Sequence, residues 1–556
     1  MSLVSARITR IVLLFFFVLL LLSTRLAVLM LFPEKVVRHS LRHTPRIQAD
    51  LEHLRVLRID DGRGRILYRN GLPWSGTVTS SPVSPISRLS AGHISPVSAA
   101  DRPTTDKAGN HKPANDKSRN HKLRNGNVAE VKSAKSGPFV IHSERTAPLS
   151  RPALVVGRVG LPDIWPSRVR SVAEQGRSGL EYTFDYLLRQ GHPGYLGEMT
   201  EAENTNWAHR LFWLPVRSGI DVRTTVDPAW QQAAESTLHK HGIKSGAVVV
   251  LNVKTRDVLA MASRNTLAPE SNEAVKVHTP GSIFKLITAA ASLDSYRNSP
   301  QDSFYCDGRL SEPGITLNCW RKHGHETLLQ AFAGSCNVVF AQLGISAGEK
   351  ALALTARNFG LLGNGLQHVN GKSVLIEAES AHVFIGGKHR PAEKGAIAHT
   401  AIGQQDVKIS PLQAANLSAT IAAGGVYRDA RLVTDAEKNH KVKRYFGGQR
   451  NQRAVSQNTA AWIGRAMYMT AHWKNGTAFD LADNAANPAV KTGTAQVSGG
   501  MVNAWLTGYA PYRRPEIAFC IFVGSEEDST AHRQVHAMIK DLLASYRQFQ
   551  APHVIG

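Results

Sequence analysis

A chain of 556 residues, 42% hydrophobic and 20% charged, is too long for one ordinary core and too apolar to be wholly disordered, so two or more folded domains are expected. A formal net charge of +23 points to an anionic partner: nucleic acid, an acidic membrane surface or an acidic wall polymer. Four cysteines (Cys306, Cys319, Cys336 and Cys520) are too few to build a disulfide scaffold.

The N-terminus selects among those partners. Arg7 and Arg10 precede an apolar run over 11–32, interrupted only by Ser23, Thr24 and Arg25. At about 1.5 Å per residue that run is long enough to cross a bilayer core. Arg25 lies in its outer half, where its side chain can reach the interface. A cleaved signal peptide is the alternative, but no Ala-x-Ala cleavage pattern follows. The reading is therefore a cytoplasmic tail over 1–10 and an uncleaved, single-pass membrane anchor over 11–32, with the bulk of the chain extracytoplasmic.

Residues 33–73 read as folded, with "RVLRIDDGRGRILYRNG" giving two short strands around a Gly-rich turn. Over 74–147 the composition shifts to Ser, Pro, Asn, Lys and His and contains a tandem repeat, "DKAGNHKPAN" then "DKSRNHKLRN". Such a tract buries too little surface to offset its ordering entropy, so a disordered basic insertion is expected. Its 81–135 portion is either a basic arm for anionic lipid or wall polymer, or an inert loop insertion. Because this arm carries part of the excess charge, no nucleic-acid role is read into the folded part. Folded character returns over 148–215.

A larger domain is expected over 216–556. Asp227 can cap a helix that has Pro228 in its first turn. "SGAVVVLNVKTRDVLAMAS" reads as a hairpin, as do "NAWLTGYAP" and "EIAFCIFVGS" around "YRRP"; "TAHRQVHAMIKDLLASYRQF" has helical periodicity. Strands at both ends of a helix-rich middle predict an α+β fold, an antiparallel sheet flanked by helices rather than βαβ units. Cys306 and Cys319 leave three alternatives open: a disulfide, free thiols, or a metal site with nearby His323 and His325. The last lacks the short Cys-x-x-Cys pair common in structural zinc sites.

The stretch "HTPGSIFK" puts Ser282 at a helix start, where unpaired N–H groups favour developing negative charge, with Lys285 on the same face one turn on. A lysine is a base only where desolvation or another cation favours its neutral form. Alone the pattern is weak, since a serine after Pro-Gly is often merely a cap. "AGSCNVVF" adds Ser335 and Asn337, and the strand-like "AVKTGTAQV" adds Lys491, Thr492, Gly493 and Thr494.

Ser-x-x-Lys, Ser-x-Asn and Lys-Thr-Gly in that order resemble the signature of penicillin-binding proteins and serine β-lactamases. "VVVLNVKTRDVLAMAS", "GQQDVKISPLQAA" and "AWLTGYAP" extend the resemblance to a penicillin-binding transpeptidase domain over roughly 219–548. The resemblance implies catalytic roles for Ser282 (nucleophile), Lys285 (base, its neutral form favoured by positive Lys491) and Ser335 (proton relay). It implies substrate-binding roles for Asn337, Lys491, Thr492, Gly493 and Thr494, with Gly493 leaving room for substrate and the N–H groups of Ser282 and Thr494 forming an oxyanion hole. No cofactor or metal is implied. The "GRSGLE" run resembles the pedestal of monofunctional class B enzymes, here a small β-rich pedestal over 33–73 and 148–215, split by the insertion. The implied activity is D,D-transpeptidation of D-Ala-D-Ala stem peptides in peptidoglycan, inhibited covalently by β-lactams, beside a polytopic glycosyltransferase. A D,D-carboxypeptidase, a β-lactamase and a non-catalytic β-lactam-binding scaffold are the alternatives.

Overall fold

The computed structural model describes residues 54–60, 62–75, 153–160, 175–201, 208–383 and 393–550. The expected anchor at 11–32 and nearly all of the expected insertion lie outside the described residues. No helix among the described residues is long and apolar enough to cross a membrane. The chain divides into two compact units, and a three-stranded sheet of Leu54–Asp60, Gly194–Glu201 and Ala208–Leu214 lies mainly in the smaller one.

The larger unit is built on a five-stranded antiparallel sheet. In chain order its elements are α1 (Pro228–Lys240), β1 (Ser245–Asn252), β2 (Val258–Asn265), α2 (Lys285–Asp294), α3 (Asn337–Asn358), α4 (Pro411–Ala422), α5 (Gln457–His472), β3 (Ala489–Gln496), β4 (Val502–Ala510), β5 (Ile517–Glu526) and α6 (Asp528–Gln550). The strand order is β2-β1-β5-β4-β3, so the two hairpins read from the sequence pair through β1 and β5. The expected fold, an antiparallel sheet with helices against it, is what forms.

Alternation along the strands explains why both faces are covered. Val248 and Val250 of β1, with Phe519 and Ile521 of β5, join a core with Trp230 and Leu238 of α1 and Ile539 and Leu542 of α6. Their neighbours Val249, Leu251, Cys520 and Phe522 face a second core containing Ile287 of α2 and Leu412 and Leu417 of α4. Asp227 caps α1 as expected, its carboxylate accepting from Ala229 N at 3.0 Å and Trp230 N at 3.3 Å. Helix α3 is broken at Gly348 (φ 80°), a conformation open to glycine because it has no Cβ.

The expected pedestal does not hold 66–75 to itself. Ile66–Leu67 and Pro73–Ser75 extend a second five-stranded sheet with Asp221–Thr224, Val433–Lys438 and Lys441–Tyr445. These strands are too short to close a core alone, so they borrow one. Trp74, expected as the first residue of the insertion, is fully buried and stacks on Tyr68 with ring centroids 5.0 Å apart. Within the "GRSGLE" run Glu181 is buried against Arg63, its Oε2 2.8 Å from Nε. Arg63 also reaches Asp185 at 2.6 Å, so this buried cation is matched by two carboxylates.

Candidate active site

Ser282 occupies a 3₁₀ turn, Gly281–Phe284, that runs straight into α2. The sequence predicts an α-helical start; the structure instead closes the Ser282 segment as a 3₁₀ turn, with Lys285 opening α2 directly after it. Ser282 is half-buried, whereas Lys285 is fully buried.

Lys285 Nζ donates to Ser335 O at 2.7 Å, Ser335 Oγ at 3.2 Å and Asn337 Oδ1 at 2.8 Å. Asn337 is held in turn by its own Nδ2, which donates to Asn318 O at 3.1 Å. Ser335 adopts a left-handed backbone (φ 57°), unusual for a non-glycine residue and tolerated where surrounding contacts over-determine it. On its other side the hydroxyl accepts from Lys491 Nζ at 3.0 Å, which also donates to Thr492 O at 2.9 Å. Thus one serine oxygen bridges two buried amines.

Burial sets the charge state of both lysines. It pushes Lys285 down to about 8, an effect that the Cys336, Cys319 and Glu326 side chains oppose. Lys491 is pushed well below the ordinary lysine range, first by burial and then by the neighbouring Lys285 charge. The expectation that a positive Lys491 is what keeps Lys285 neutral is therefore revised. Desolvation is the leading cause at both.

Lys491, Thr492, Gly493 and Thr494 lie on β3, an edge strand paired to β4 in unbroken register. A Cβ on Gly493 would fall 2.7 Å from Pro280 O and 2.7 Å from Ile283 Cγ1. The residue was expected to clear room for substrate; in the structure its bareness lets the Ser282 turn sit against β3. Gly281 (φ +52°) works from the opposite side, since a Cβ there would fall 2.1 Å from Thr494 O. All eight residues singled out from sequence thus converge on one locus.

Sequence reasoning missed several partners. Gln404, inside the quoted "GQQDVKISPLQAA", donates Nε2 to Thr494 O at 3.1 Å. His532 Nε2 lies 2.9 Å from Thr494 Oγ1 and 3.3 Å from Asp528 Oδ1. Thr477 Oγ1 pairs with Thr492 Oγ1 at 2.6 Å. None of these partners carried a local signal; Asp528, the acidic partner of His532, lies just ahead of the segment read as helical.

A model of the penicillin binding protein transpeptidase domain matches residues 246–544. Stage V sporulation protein D of Bacillus subtilis is 29% identical over 354 residues, covering 58% of this chain and 52% of that protein. The peptidoglycan D,D-transpeptidase PbpA of Mycobacterium tuberculosis is 29% identical over 354 residues, covering 56% of this chain and 68% of PbpA. The chain thus spans about half the length of the first relative and two thirds of the second. Among solved structures, the penicillin G acyl-enzyme complex of penicillin-binding protein A from M. tuberculosis is 26% identical, with a TM-score of 0.52 over 60% of this chain and 81% of that one. The match to the family model, spanning more than half of the residues and enclosing all three motifs, makes this chain a member of the penicillin-binding protein transpeptidase family.

Proposed function

We propose that the chain is a serine-type peptidoglycan D,D-transpeptidase, crosslinking stem peptides through an acyl-enzyme on Ser282 and inhibited covalently by β-lactams. The observation that carries this is the burial of Lys285 one tight turn after Ser282, with Nζ held by Ser335 and Asn337. The acyl-enzyme of the relative from M. tuberculosis with penicillin G supports it.

In this reading Ser282 Oγ attacks the carbonyl of the penultimate D-Ala while neutral Lys285 takes the hydroxyl proton. The oxyanion is received by the N–H groups of Ser282 and Thr494. Ser335, bonded to both amines, passes a proton to the departing D-Ala nitrogen as the peptide C–N bond breaks. An acceptor amine then attacks the ester, restoring Ser282 and forming the crosslink. The substrate's terminal carboxylate binds Lys491 and Thr494, and its arrival favours the protonated form of Lys491. Edge strand β3 offers the donor peptide a backbone to lie along. Asn337 orients both the substrate and Lys285.

The same reading puts the anchor at 11–32 in the cytoplasmic membrane with the catalytic unit outside, and the basic segment 81–135 on anionic lipid or wall polymer. A polytopic glycosyltransferase supplying nascent glycan is the partner this reading expects.

The test is product analysis with a donor pentapeptide and an acceptor amine. Mass spectrometry should detect the condensed product, with loss of one D-Ala, from wild type and not from Ser282→Ala. Trimmed donor without condensed product would identify a hydrolase instead.

A further inference from the structure

Three thiols and an imidazole converge beside the Ser-x-Asn segment. Cys306 ends the strand Ser303–Cys306, which pairs with Gly324–Thr327; Cys319 follows the strand Ile315–Asn318. His323 precedes Gly324, and its backbone N donates to Cys306 O at 3.1 Å. Cys336 stands at the N-terminal boundary of α3, between Ser335 and Asn337. All four cysteines are free, and the ligand atoms of Cys306, Cys319, His323 and Cys336 lie within 4.8 Å of one another.

These distances have a recognisable scale. A tetrahedral zinc ion with Zn–S of about 2.3 Å and Zn–N of about 2.0 Å sets S···S near ~3.8 Å and S···N near ~3.5 Å. Cys319 Sγ is 4.0 Å from Cys336 Sγ and 3.5 Å from His323 Nδ1. The surroundings suit a thiolate: Asn337 N donates to Cys319 Sγ at 3.2 Å. His323 Nε2, the ring nitrogen left over when Nδ1 faces Cys319, is buried without a partner. A disulfide between any two of these thiols would leave the third and the imidazole unexplained.

We propose that Cys306, Cys319, His323 and Cys336 form a structural zinc site whose role is to hold the Ser335–Asn337 segment in place. Four protein ligands fill the tetrahedral set, so the ion has no open position for substrate. The bond to Cys336 would pin the residue between Ser335 and Asn337, and so help fix the left-handed Ser335 backbone. The consequence for acylation rests on the function proposed above; the metal site itself does not.

The test uses the full chain, purified in detergent without a metal-affinity step, with zinc measured by mass spectrometry. One zinc per chain is expected, lost in Cys319→Ala and His323→Ala and kept in Cys520→Ala and His323→Cys, the last of which restores a four-ligand set. Cobalt exchanged into wild type should give the visible ligand-field bands of tetrahedral thiolate coordination, a readout needing no variant to fold. Zinc well below one equivalent, with four thiols alkylated after denaturation or an intact mass lower by two hydrogens, would overturn the site. Removing zinc with a strong chelator should lower the melting temperature and slow penicillin acylation at least tenfold, both reversed by zinc. Unchanged acylation after removal would overturn the positioning role. Failure of wild-type protein with bound zinc to acylate at all would instead count against the proposed function.

Discussion

Lys491 Nζ lies 3.0 Å from Ser335 Oγ, and that same oxygen accepts a second hydrogen bond, from Lys285, at 3.2 Å. A hydroxyl so placed can move a proton between the two amines, and to a leaving group, without leaving its seat. Ser335→Ala should cut the acylation rate constant by about 10²-fold, the lower range for a positioned proton-transfer group. Stopped-flow quenching with a fluorescent penicillin measures it. The melting temperature should fall as well, because two buried amines each lose one hydrogen-bond partner while each keeps a backbone carbonyl.

Acylation should depend on pH through Lys285. Its pKa is lowered to about 8, chiefly by burial, so at pH 7 most of it carries the proton that disables it as a base. The second-order acylation rate should therefore rise nearly tenfold per unit below pH 8 and flatten above. Lys285→Arg, whose guanidinium cannot deprotonate, should abolish the rise along with most of the activity.

Gly493→Ala tests the close approach of β3 to the Ser282 turn. The added methyl must displace Pro280 O or Ile283, at a cost of about 1–3 kcal/mol. Urea unfolding should report that loss, and acylation should fall with it as Ser282 shifts from the strand. An alanine accepted with neither change would contradict the packing account.

His532 reaches the locus through Thr494. Burial lowers its pKa, against the opposing pull of Asp528. His532→Ala should remove one hydrogen bond from Thr494 Oγ1, about 1 kcal/mol, and so weaken β-lactam association about fivefold. The first-order acylation step at saturation should be unchanged. A loss in that step instead would mean His532 acts on the reacting atoms.

Much of the architecture was legible because it is local. The unbroken apolar, β-rich runs "GAVVVLN" and "IAFCIFV" beside polar turns marked the strands, and Asp227-Pro228 marked the start of α1. The eight candidate residues were legible because three short motifs carry them. What was not legible depends on chain segments meeting across long separations. Gln404 and His532 find Thr494 only once β3 has packed between the Ser282 turn and α6. The cysteine cluster escaped a rule based on Cys-x-x-Cys spacing, because hairpins rather than one tight knuckle bring the sulfurs together. Trp74 was misplaced because a Ser-rich polar tract follows it; it pairs back onto Ile66–Leu67 and stacks on Tyr68, a short hairpin whose edge the composition did not mark.

The most direct measurement is intact-mass and peptide mapping of the full chain after reaction with penicillin, followed over hours. The account predicts one adduct per chain, located on the peptide containing Ser282, persistent for hours and absent from Ser282→Ala. An adduct on another residue, or none under conditions where the protein is folded, would contradict Ser282 as the nucleophile. An adduct that decays within minutes would contradict the transferase reading in favour of hydrolysis.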